Sequence, residues 1–127
     1  MGGATAEDLS GMKMFVQPER VYLHVDAVDL RKSINGLVLI VEQQLLLSPF
    51  IDALFIFSNK KRDKLKILYW DKTCFALSYK RLEKHRFKWP QGIEDKQMVL
   101  TEQQLQWLLG GFDIIDHPPL QYRSVGL

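Results

Sequence analysis

Residues 60–88 carry eleven Lys or Arg against three Asp or Glu, while the rest of the chain carries six against twelve. A protein of formal net charge +2 therefore holds a segment of +8 inside a frame of −6. Cations gathered on one surface neutralise phosphates and release their counterions, which is the chemistry a polyanion-binding face requires. Arg62, Lys64, Lys66, Lys80, Arg81 and Arg86, with Lys60 beside them, supply such cations. Tyr69, Trp70 and Trp89 lie among them and offer rings on which bases can stack. A second reading fits the same residues. Lysines also solubilise a sheet face or guard its edge, and tryptophan is usually largely buried.

Arg31 and Lys32 are a second basic feature. They follow Asp29 at the point where a helix is expected to start, an end whose partial positive charge disfavours cations. Cations placed there against the dipole suggest an anion site. The alternative is a local ion pair from Arg31 to Asp29 or Asp26.

Enzymatic chemistry has less support. Asp26, Asp29, Asp63, Asp71 and Glu83 are dispersed, mostly at turns, where aspartate serves local hydrogen bonding. A two-metal nuclease needs several of them converging on two ions. His24, His85 and His117 lack metal-ligand spacing, and with one cysteine, Cys74, no zinc site is expected. Cys74 reads as a small apolar strand residue rather than a nucleophile. No phosphate-cradling glycine loop is present. No catalytic residue, metal or cofactor is assigned.

These side chains need a scaffold. With 127 residues, 46% of them hydrophobic and 25% charged, the chain is long enough for one domain with a core. No apolar run approaches membrane-spanning length, and a lone cysteine gives no disulfide framework, so a cytoplasmic protein is expected. Residues 1–11 read as a cloning remnant ahead of a start near Met12. Residues 12–116 read as a single domain, and residues 117–127 as a loosely ordered tail.

Within the domain, residues 20–25 alternate as a strand, with Val21, Leu23 and Val25 on one face. Asp29 is placed as an N-cap, and Leu30, Ile34, Leu37, Val38, Val41 and Leu45 continue at helical spacing. The pattern predicts a helix over residues 30–47, closed by Ser48-Pro49. Gly36 inside it suggests the close approach of another backbone, or a bend. Residues 53–58, 64–70 and 73–79 read as three strands joined by short turns, an antiparallel meander. Leu65 and Ile67 are expected to face the helix, and Lys64 and Lys66 solvent, because period two sends alternate residues to one side. Met98 to Leu100 reads as a last strand. Thr101 and Gln104 form a capping box for a helix over residues 102–109, which Gly110-Gly111 stops. The expected fold is α+β: an antiparallel sheet of about four to five strands, one long helix on a face and a short C-terminal helix.

The order of these features resembles a known family, the small accessory protein (TnpB) of IS66-type insertion sequences, which is unrelated to the RNA-guided nuclease of that name. The resemblance rests on Val21-Tyr22-Leu23, Asp29-Leu30-Arg31-Lys32-Ser33 and Asn35-Gly36-Leu37. Leu54-Phe55-Ile56-Phe57 with Asn59, Lys60, Arg62 and Asp63 follows, then Lys66-Ile67-Leu68-Tyr69-Trp70-Asp71. It closes with Lys80-Arg81-Leu82-Glu83, Arg86-Phe87, Trp89-Pro90 and Leu105, Leu108-Leu109, Gly110. Asp26, Cys74 and His85 stand where the family has glycines, so strained backbone is expected there. The resemblance implies a role in transposition beside a separate transposase that performs the strand chemistry.

Together these readings give a non-catalytic accessory protein that binds DNA at element ends. The candidate contacts are Arg31, Lys32, Lys60, Arg62, Lys64, Lys66, Trp70, Lys80, Arg81, Arg86 and Trp89. A module that binds the transposase without touching DNA is the alternative, and a metal-dependent nuclease the third.

Overall fold

The computed structural model describes residues 18–114. The expected leader, start and tail lie outside them. Five strands, β1 (Arg20–His24), β2 (Ala53–Ser58), β3 (Lys64–Trp70), β4 (Phe75–Arg81) and β5 (Gln97–Leu100), form one sheet in the order β4-β3-β2-β1-β5. The helices α1 (Ile34–Gln43) and α2 (Glu102–Leu109) complete the α+β fold. The meander β2-β3-β4 is antiparallel as the short turns require. The pair β1-β2 is parallel, because the intervening helix returns the chain to the same end of the sheet before β2 begins.

The first helix is shorter than the pattern predicts. Asp29 does not cap it. Its carboxylate accepts from the backbone N–H of Arg31 at 3.0 Å, and its carbonyl accepts from Lys32 N–H at 3.1 Å. These bonds hold residues 29–32 as a turn, a conformation short polar side chains stabilise in competition with helix. Helical geometry begins after Ser33. It ends near Gln44, and Leu46 stands in the left-handed region at φ 57°. Ten residues span only about 15 Å, so α1 covers Phe55, Phe57 and Leu68 but not the whole sheet. The neighbour that crowds Gly36 is a side chain, not another backbone: a Cβ there would lie 3.1 Å from Lys32 Cβ.

Both sheet faces are covered, which explains why every β2 residue is buried. On one face α1 packs through Leu37, Ile40 and Val41. On the other, α2 packs through Leu105 and Leu108 together with Phe87 and Trp89. Leu65 and Ile67 belong to this second core and do not face α1. The register pairs Phe57 with Lys66 and Phe55 with Leu68. It therefore sends Lys64, Lys66, Leu68 and Trp70 to the α1 side.

The second helix has the expected capping box: Gln104 N–H donates to Thr101 Oγ1 at 3.0 Å, and Thr101 N–H donates to Gln104 Oε1 at 2.9 Å. Cys74 departs from its expected strand position. It is exposed in the β3–β4 turn, where Asp71 N–H donates to Cys74 O at 2.8 Å. Asp26, Cys74 and His85 carry no glycine-type strain. Among described non-glycine residues, positive φ occurs at Leu46, Arg62 and Lys72.

Candidate nucleic-acid interface

The parallel pair β1-β2 places two loops at its carboxyl end, residues 25–33 and residues 59–63. Val28 N–H donates to Ser58 O at 2.9 Å, tying the first loop to the end of β2. Crevices outside the carboxyl ends of parallel strands are common ligand sites, because the loops there are free to vary while the strands hold them. Here the loops and β3 enclose an open groove of about 700 Å³.

Asn59 shapes the second loop. Its Nδ2 donates to Asp63 Oδ1 at 2.7 Å, its Oδ1 accepts from Lys64 N–H at 3.1 Å, and its carbonyl accepts from Arg62 N–H at 3.1 Å. The amide bond from Asn59 holds the Asp63 carboxyl below its ordinary pKa. Lys60 and Lys61 sit outside this closed loop and are exposed. Both line the groove, as do Arg31, Lys64, Lys66 and Tyr79.

Lys66 anchors the groove floor. Its Nζ donates to Leu30 O at 2.6 Å, so its ammonium fixes the loop that carries Arg31. Arg31 pairs with Asp29, not Asp26: Nη2 lies 2.9 Å from Oδ2, and Nε donates to Oδ1 at 3.0 Å. The side-chain hydrogen bond from Arg31 lowers the Asp29 pKa to about 2. Asp26 instead meets Lys96, at 3.1 Å.

The remaining candidates are dispersed. Arg62 turns under the sheet at φ 62°, with its guanidinium 5.0 Å from the centre of the Trp89 ring. Burial lowers its pKa, partly opposed by the charge of Asp26. Its Nη1 is buried without a hydrogen-bond partner among the described residues. Trp89 is a core residue, 6% exposed. Trp70 lies at the far end of β3, edge-on to Phe50 and to Phe75, each at 4.9 Å between ring centres. Lys80 pairs with Leu65 and so faces away from the groove. Arg81 lies across from Lys64 on the groove side, 4.0 Å from the Glu83 carboxylate. Lys32 and Arg86 are exposed but do not line the groove.

Of the cationic and aromatic side chains that line the groove, two, Lys61 and Tyr79, are absent from the candidates drawn from sequence. Lys61 was detectable as the neighbour of Lys60 in a polar turn. Tyr79 becomes part of the site only through its pairing with Lys66 across β3 and β4. The carboxylates do not gather: among the described residues no three His, Cys, Asp or Glu side chains are placed to hold one metal ion. No helix among them is long and apolar enough to cross a membrane.

Comparison with known proteins places this arrangement in context. The family model described as "IS66 Orf2 like protein" matches residues 19–118. Among similar proteins from Sinorhizobium fredii (strain NBRC 101917 / NGR234), "Uncharacterized protein y4jC" is 33% identical over 94 residues, covering 74% of this chain and 80% of its own length. "Uncharacterized protein y4hO" is 33% identical over 107 residues, covering 84% and 91%. No solved structure matches the chain significantly. The match over nearly all described residues, in the order the sequence blocks lead one to expect, shows that the chain belongs to the IS66 Orf2-like family of insertion-sequence accessory proteins.

Proposed function

We propose that this protein serves transposition of its insertion sequence by binding DNA through the groove at the carboxyl end of β1 and β2, without cutting it. One observation carries the reading: Lys60, Lys61, Lys64 and Lys66 converge on one groove, and none has a carboxylate within 4.0 Å among the described residues. Unpaired cations held on one concave surface raise the local potential and attract phosphate, with an affinity that falls as salt rises. Arg31 adds charge at the rim, although Asp29 offsets part of it. Arg62 and Trp89 act as internal supports of the loops in this reading, and Trp70 does not take part. The partner is DNA at the element ends, met in the cytoplasm of a bacterium.

Fluorescence anisotropy with element-end DNA at low and moderate salt tests the proposal. Binding at low salt that weakens steeply with salt, and that Lys60→Ala/Lys61→Ala/Lys64→Ala markedly weakens, is the expected result. Absence of binding at low salt, or equal binding by the triple variant, refutes it.

A second reading rests on a different surface. Phe50 is exposed beside Trp70 and Phe75, at the end of the sheet away from the lysines, and Leu46, four residues before it in the chain, is exposed as well. Exposed apolar groups of this kind mark protein contacts, and the transposase of the same element is the partner they suggest. Co-purification with that transposase after nuclease treatment, lost in Leu46→Ser/Phe50→Ser, would favour this reading over the first.

A further inference from the structure

We infer that the groove is built for single-stranded DNA, with one base stacked on Tyr79 and its flanking phosphates on Lys60, Lys61 and Lys64. The inference rests on the DNA-binding reading and narrows it. Tyr79 is 54% exposed on the edge strand β4, on the same sheet face as Lys66 and beyond the stretch where Phe75 and Leu77 pack into the α1-side core. No other aromatic ring among the described residues packs against it. Its strand partner is Lys66, whose ammonium is tied to Leu30 O at 2.6 Å. That bond holds the lysine in place beside the tyrosine instead of leaving it free to swing. The ring is thus an open aromatic surface inside a cationic groove.

Ring faces of bases in a duplex are covered by their neighbours, whereas an unpaired strand offers them for stacking. The cavity agrees. At about 700 Å³ it has the capacity of a small-molecule cleft and can admit a nucleotide or two. Stacking tolerates any base, because each has a π face, while the lysines track the backbone. The groove therefore fits a strand of any sequence, such as one exposed when an element end is opened.

The test compares a fluorescein-labelled oligothymidylate of about 15 nucleotides, within the size range of single-strand sites, with a blunt duplex of equal length. Wild-type protein should bind the single strand more tightly. Tyr79→Leu, which keeps the bulk but removes the ring, should weaken single-strand binding by roughly ten-fold, the order of one lost stacking contact, and leave duplex binding unchanged. Tyr79→Phe should bind like wild type. Thermal melts of both variants confirm folding. Equal affinity for strand and duplex, or a Tyr79→Leu variant that binds like wild type, overturns the inference and leaves the DNA-binding reading standing. Tighter binding of oligouridylate than of oligothymidylate overturns the commitment to DNA. Binding of no nucleic acid at low salt removes both readings.

Discussion

The guanidinium of Arg62 lies 5.0 Å from the centre of the Trp89 ring, and both side chains donate to the same carbonyl, Val25 O, at 3.4 Å and 3.0 Å respectively. The β2–β3 loop, the end of β1 and the extended segment before β5 are thereby joined at one point. Phe87 N–H adds a bond to Arg62 O at 2.7 Å. A cation that looks like a phosphate ligand in the sequence is a structural clamp in the fold.

Trp89→Phe should therefore destabilise the domain. It removes the indole donor and leaves Val25 O with the longer arginine bond alone, a loss on the order of 1–3 kcal/mol for a buried acceptor left poorly satisfied. Urea denaturation checks the magnitude. The salt dependence of DNA binding by the folded fraction should not change, since Trp89 belongs to the core on the other face of the sheet and does not line the groove.

The groove lysines make the opposite prediction. Each neutralised phosphate of a single strand contributes about 0.7 to the slope of log affinity against log salt. Lys60→Ala/Lys61→Ala/Lys64→Ala should flatten that slope by roughly 2, with little change in melting temperature because Lys60 and Lys61 are exposed and Lys64 has no ion pair among described residues. Anisotropy titrations across a salt series provide the measurement.

Asp29 should titrate near pH 2 in carboxyl-detected NMR, well below its ordinary value of 3.8. Its pKa is depressed in the folded state. Any stability it contributes is therefore present above the ordinary carboxylate range and lost as pH falls through about 2. Arg31→Ala removes the main cause and should return the Asp29 pKa towards its ordinary value. A pKa that stays near 2 in the variant would show that another group holds the carboxylate charged.

Leu46 should tolerate glycine well. It adopts φ 57° and is 81% exposed, so the leucine bears left-handed strain with little burial in return. The strain costs about 1–2 kcal/mol, and glycine's greater unfolded-state entropy takes back about 0.5–1 kcal/mol. Leu46→Gly is expected to be neutral to stabilising by up to about 1.5 kcal/mol in thermal melts, and it also removes an apolar group from the surface suggested for protein contact.

The elements governed by local pattern were legible in the sequence. The strands β2 and β3, the helix α2 and its Thr101–Gln104 capping box fall where alternation, turn residues and cap chemistry put them. The first helix was legible only in part. Its apolar spacing begins at Leu30, but the Asp29–Arg31 hydrogen bonds compete with helix over the first turn, and spacing does not register that competition.

The sequence by itself determined that a run of cations, tied to a recurrent set of motifs, would share the β2–β3–β4 region. Period-two alternation and short turns are properties of neighbouring residues. Which cations share a surface depended on the register of β3 with β2 and β4, on the length of α1, and on the positive φ that turns Arg62 inward. These are outcomes of packing both faces of one sheet. Only the tertiary structure could therefore separate Lys60, Lys61, Lys64 and Lys66 from Lys80 and Arg62, and bring Tyr79 to their side.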